Sequence, residues 1–132
     1  MVGVSGDLLD TSVVISPIAP STPLPASAAI SVVTVGELIA GVKLAVTDFA
    51  REVRQTRLDD VRRAFAPLSV DAAVAERYGD LLAFARSHRR TTRATDLLII
   101  ATAAAHDRTL ITRDERQAAL AQAAGISVKV TV

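Results

Sequence analysis

Apolar and polar residues change their period repeatedly along the chain, and each change marks an element. "DLLDTSVVI" (7–15) reads as a short strand running into a turn or helix. "AISVV" (29–33) is apolar and β-branched, a second strand. From Thr34 the period becomes helical in "TVGELIAGVKLA" (34–45), where Thr34 and Glu37 form a capping-box pattern. "TDFAREVRQTRLDDVRRAF" (47–65) predicts a charged amphipathic helix with Phe49, Val53, Val61 and Phe65 turned inward. "PLSV" (67–70) is a candidate strand. "DAAVAERYGDLLAFARSH" (71–88) carries Val74, Tyr78, Leu81, Leu82 and Ala85 at helical spacing. "TDLLIIATAAAH" (95–106) is apolar nearly all round, which predicts a helix buried inside the domain. "RTLIT" (108–112) is a strand, "RDERQAALAQAAG" (113–125) a helix stopped at Gly125, and "ISVKV" (126–130) a last strand at a sheet edge.

Two stretches break the pattern. "SPIAPSTPLPASAA" (16–29) holds four of the five prolines, so it forms neither a regular helix nor a central strand and reads as a loop. "RRTTRA" (89–94) is a basic polar connection.

Strands alternating with helices predict an α/β fold over residues 1–132, with a mainly parallel central sheet and helices on both faces. Right-handed crossovers set the carboxyl ends of the strands along one edge. Ligands of open α/β sheets bind beyond that edge.

Composition narrows the chemistry. The 132 residues include no cysteine, which excludes disulfides and thiolate metal sites and suits a cytoplasmic location. No uncharged apolar run approaches the roughly 20 residues of a membrane span, so no membrane partner is expected. Aromatics are only 3%, too few for base stacking to dominate a nucleic-acid contact. Net charge is +1 but unevenly placed: residues 1–50 carry one Lys and four acids, and residues 51–95 ten Arg and six acids. Such a molecule has one part suited to cations and another to phosphates.

The acids fall at telling positions. Asp10 closes the first strand, Glu37 lies early in the helix after the second, Asp96 opens the buried helix, and Asp114 follows the strand 108–112. Topology places Asp10, Glu37 and Asp114 on one sheet edge. Taken singly, Glu37 has a role in the capping box, and Asp96 and Asp114 suit helix N-termini. Asp10 has the weakest claim to such a role, because it follows an apolar strand and a carboxylate is a poor strand residue. Carboxylates gathered at one edge repel unless a hard cation joins them, and Mg²⁺ or Mn²⁺ prefers oxygen ligands. Such a site can activate water and hold a phosphodiester. The hydroxyls of Thr11, Ser12 and Thr112 stand beside the acids and are placed to orient them. Asp7, at the start of the first strand, belongs at the opposite edge.

Acids do not attract phosphates, so contacts to a phosphodiester fall to Arg86, Arg89, Arg90 and Arg93 in "ARSHRRTTRATD", and to Arg113 beside Asp114.

"LLDTSVVI", "ISVVTVGELIAGV", "TDLLIIATAAAH" and "TLITRDE", in this order and spacing, resemble the PIN domain, and more narrowly the VapC toxins of VapBC toxin–antitoxin modules. The resemblance covers nearly the whole chain. It implies Mg²⁺- or Mn²⁺-dependent endoribonuclease activity on an RNA substrate, tRNA or rRNA, that inhibits translation and growth. It carries the family's acidic residues onto Asp10, Glu37, Asp96 and Asp114, and its site hydroxyls onto Thr11, Ser12 and Thr112. It also implies a homodimer and a small VapB-like antitoxin that blocks the site. Many members carry a further acid after the fourth, where this chain has Gln117 and Ala118, a departure that bears on a second metal position.

Two other readings compete. A Mg²⁺-dependent phosphoacceptor or phosphatase-like domain also places Asp at a strand end. Ser12, however, stands where the phosphatases need a second Asp, and Lys129 sits inside the final strand. A non-catalytic binding module would use the acids only as caps or for a basic partner.

Overall fold

The computed structural model describes residues 6–15 and 27–132. Most of the Pro-rich stretch 16–29 therefore lies outside the described residues.

Leu8 and Leu9 reveal the layering. Side chains alternate across a strand, so consecutive leucines point to opposite faces. Both are buried, at 0% and 2% exposure, so both faces are covered. Leu8 packs in a cluster with Val74, Leu81, Leu97, Ile100 and Leu110. Leu9 packs with Val13, Ile30, Leu38, Leu58, Val61 and Phe65. Each such leucine contributes about 1.5–3 kcal/mol relative to exposure.

The elements run β1 (Asp7–Leu9), α1 (Thr11–Val14), β2 (Ile30–Ser31), α2 (Val32–Lys43), α3 (Asp48–Ala64), β3 (Pro67–Leu68), α4 (Ala72–Ser87), α5 (Ala94–Ala105), β4 (Thr109–Thr112), α6 (Glu115–Ala123) and β5 (Val128–Val130). β1 pairs with β4 and β4 with β5, all parallel. β2 and β3 form a second parallel pair. A parallel bridge between Leu8 and Ala29 joins the two pieces, giving the order β3-β2-β1-β4-β5. The expected parallel sheet with helices on both faces is present. The α1–α3 layer covers one face, and α4 and α5 the other. β5 lies at the edge, as its sequence predicts.

Two expectations change. The second strand stops at Ser31, and α2 starts at Val32, two residues early. Ser31 caps the helix by accepting the Val33 N–H on its hydroxyl at 3.0 Å. Thr34 thus lies inside the helix, fully buried, and does not form a capping box with Glu37. Local β propensity at Val32 and Val33 gives way to the cap and to packing.

Phe49 and Val53 are exposed, at 77% and 49%, while Val61 and Phe65 are buried as expected. The inward face of α3 is set by Leu58 and Val61, and Phe49 lies about half a turn away from it. Arg51 and Arg54, though exposed, lie toward α2 and donate to the carbonyls of Ala45 and Gly41.

The helix stop at Gly125 holds, with φ of +81°. α4 ends in the same manner at Arg89, whose φ is +54°. There the Arg90 N–H donates to the carbonyl of Ala85 at 2.8 Å.

Candidate active site

The site grows from the carboxyl edge of the sheet. The Asp10 N–H donates to the carbonyl of Ile111 at 2.9 Å, so sheet pairing fixes the Asp10 backbone. Its side chain is 3% exposed. A carboxylate buried so deeply is costly without donors. Oδ2 of Asp10 accepts from the Ser12 hydroxyl at 2.6 Å, the Thr112 hydroxyl at 2.9 Å and the Ser12 N–H at 3.4 Å. The Thr112 oxygen also accepts the Asp114 N–H at 3.0 Å, and Ser12 Oγ accepts the Arg113 N–H at 3.0 Å. These bonds join the turn after β1 to the turn after β4.

Glu37 sits in the second turn of α2. Its Oε1 accepts from the Thr11 hydroxyl at 2.8 Å, and Thr11 lies 2.9 Å from the Thr34 hydroxyl. Thr34 thus serves the site through Thr11. Released from a capping role, Glu37 is held toward α1.

Asp114 is the N-cap of α6, its Oδ1 accepting the N–H groups of Arg116 and Gln117 at 2.9 and 3.2 Å. Asp96 lies in the first turn of α5 and pairs with Arg93, whose Nε and Nη2 each stand 3.3 Å from a carboxylate oxygen. The Asp96 bond and charge raise the Arg93 guanidinium above its ordinary value. A slight burial opposes this, and the charges of Glu37 and Asp10 add to it. Arg93 thus feels carboxylates from three elements.

An open cleft of about 840 Å³ adjoins this edge, and Asp96 and Asp114 share its wall with Arg89, Arg90, Arg93 and Arg116. Asp10 and Glu37 are not in the wall. Thr112 ties Asp10 to Asp114, which is. Arg86 and Arg113 are exposed but do not line the cleft. Asp7 is at the opposite edge, in register with Thr109 at the start of β4.

Arg116 escaped sequence reasoning, where Gln117 figures only as a departure from the family's acid pattern. Arg116 carried one usable signal, its place two residues after Asp114 in the first turn of a helix at the same edge. Gln117 is 4% exposed and lines the cleft, and its Nε2 is buried without a hydrogen-bond partner.

The donor set fits a hard divalent cation, since carboxylates and hydroxyls supply only oxygen. Among the described residues, no three acidic or histidine side chains already form a metal-holding group. Asp96 is engaged by Arg93, and one oxygen of Asp114 by the α6 cap.

A parallel α/β domain with carboxylates along the carboxyl edge of its sheet, two of them facing a basic cleft, belongs to the class of α/β folds that bind ligands beyond that edge. Residues 8–123 match the PIN domain, and the chain belongs to the PIN-domain family. Among solved structures it is similar to VapBC-5, a member of the VapBC family of toxin–antitoxin systems, from Mycobacterium tuberculosis. The identity is 33% and the TM-score 0.80, over 96% of this chain and 97% of that one. FitAcB from Neisseria gonorrhoeae is 30% identical with a TM-score of 0.75, over 92% and 94%. VapBC2 from Rickettsia felis, bound to a DNA fragment from its promoter, shares the fold at 21% identity and a TM-score of 0.81, over 96% and 99%. No curated protein matches by sequence. Among the described residues no helix is long and apolar enough to cross a membrane.

Proposed function

We propose that this PIN domain is a Mg²⁺- or Mn²⁺-dependent endoribonuclease, the cytoplasmic toxin of a toxin–antitoxin pair. One observation carries the reading. Asp96 and Asp114, suited to a cation, open onto the same cleft as four arginines suited to phosphates, and Thr112 ties Asp114 to buried Asp10.

Asp10, Asp96 and Asp114 would hold the cation, with Glu37 as a further ligand or the group that positions the attacking water. When bound, the cation activates water and neutralises charge developing on the phosphodiester. The chain's own residues do the rest. Ser12 and Thr112 donate to Asp10 and keep it oriented. Thr11 fixes Glu37. Arg89, Arg90 and Arg116 attract the RNA backbone into the cleft.

Similarity to VapBC-5 supports a small VapB-like antitoxin as partner. The exposed apolar residues Leu44, Val46 and Phe49 offer surface for such a partner or for a homodimer.

The test is sequencing of RNA 5′ ends after induction of the wild type and of Asp96→Ala. New ends at discrete RNA sites are expected with the wild type alone. Identical ends in both, or none in either, would remove the reading.

A further inference from the structure

Arg93 occupies the N-cap of α5, a position that favours Ser, Thr, Asp or Asn. It makes no side-chain cap hydrogen bond. Its positive charge also sits at the helix end where the backbone dipole opposes a cation. The ion pair with Asp96 does not compensate in stability. Arg93 is 73% exposed, and exposed pairs contribute little. Asp96, at 15% exposure, is far more enclosed. Residues that break a local folding rule without a stability gain concentrate at functional positions.

The surroundings of Arg93 indicate what the position is for. Asp96 attracts it most, and Glu37 and Asp10 add to the pull from two other elements. Both contacts to Asp96 are 3.3 Å, longer than the roughly 2.7–2.9 Å of a tight charge-assisted bond. The exposed side chain can therefore redirect within the cleft without moving the helix.

We infer that Arg93 is an exchangeable internal counter-ion: it neutralises Asp96 while no divalent cation is bound, and yields Asp96 and turns to an RNA phosphate when cation and RNA arrive. This rests on the reading of the acidic edge as a cation site. No bond is made or broken; one ion pair replaces another.

The experiment is calorimetric titration of Mn²⁺ into the RNA-free protein at low ionic strength, for wild type, Arg93→Gln and Arg93→Lys. Removing a positive charge next to the cation is expected to tighten Mn²⁺ binding about three- to tenfold in Arg93→Gln. Arg93→Lys should stay near wild type. A wild type that binds Mn²⁺ with no gain in Arg93→Gln overturns the exchange and leaves the cation site intact. Binding by Arg93→Gln alone supports the exchange. Binding by neither overturns both readings. A merely structural pair would lower the thermal midpoint of Arg93→Gln and leave its Mn²⁺ affinity unchanged. In a second measurement, binding of a short RNA hairpin is followed against salt in Ca²⁺. The slope should fall by about one in Arg93→Gln. An unchanged slope overturns the transfer to phosphate.

Discussion

Thr112 and Asp10 lie 102 positions apart in sequence, and their side chains meet at 2.9 Å inside the protein. The Thr112 hydroxyl donates a hydrogen bond to the carboxylate while its oxygen accepts one from the Asp114 N–H. Thr112→Val keeps the shape and removes both bonds. Leaving those partners unsatisfied should cost about 1–3 kcal/mol in urea unfolding, and RNA cleavage should fall with it. Thr112→Ser retains the hydroxyl and should recover most of both. Equal stability of the two variants would refute the role.

Asp10 provides the cation test. A ligand at a hundred times its dissociation constant stabilises a folded protein by about 2.7 kcal/mol, so Mn²⁺ should raise the thermal midpoint and EDTA should reverse the rise. In Asp10→Ala the rise should vanish along with RNA cleavage. A midpoint that responds equally in both proteins would place the cation elsewhere.

Arg89 holds a left-handed backbone conformation, φ +54°, at the end of α4, where glycine is the favoured residue. Arg89→Gly should therefore raise stability by about 0.5–1 kcal/mol while weakening RNA binding. Calorimetry and a binding titration on one preparation check the pair of effects. A variant that is less stable and binds RNA as before would contradict both.

The cleft distinguishes among arginines. Replacing Arg90 and Arg116 by Ala should lower the slope of RNA affinity against salt by about two, one for each lost phosphate contact. Arg86→Ala, outside the cleft wall, should leave the slope as it was. Filter binding across a salt series reads the difference.

Packing predicts a sharper contrast. Ile100 is wholly buried, and Ile100→Ala should cost about 2–5 kcal/mol. Phe49 is 77% exposed, and Phe49→Ala should fall within about 0.5 kcal/mol of wild type. Chemical denaturation of both variants measures the two values.

The architecture was legible because each element carries its own period. Leu8 and Leu9 signal a strand covered on both faces, and the uninterrupted apolar run 97–101 signals the buried α5. Asp10 was legible for another reason, as a charge closing an apolar strand, although the structure also makes it the N-cap of α1, accepting the Ser12 N–H. Phe49 and Val53 misled because Arg51 and Arg54 read as solvent-facing, although their guanidiniums bond carbonyls near α2. Thr34 misled because the hydroxyl it meets, on Thr11, is 23 residues away. Arg116 resembled any helix-surface arginine. Only the strand order brings α6 beside residues 89–93, and no local pattern encodes that neighbourhood.

The strand order also bears on biosynthesis. β1 lies at the middle of the sheet, between β2 and β4, yet precedes both in sequence. A ribosome delivers residues in sequence, so a growing chain that has reached α5 already carries Asp10, Glu37 and Asp96. It still lacks β4, Thr112 and Asp114. Nascent chains halted before residue 109 are expected to be sensitive to protease and inert toward RNA, whereas chains that include residues 109–132 resist protease. On the proposed ribonuclease reading, translation can thus pass α5 before the chain has a working edge, leaving RNA untouched until β4 and α6 emerge.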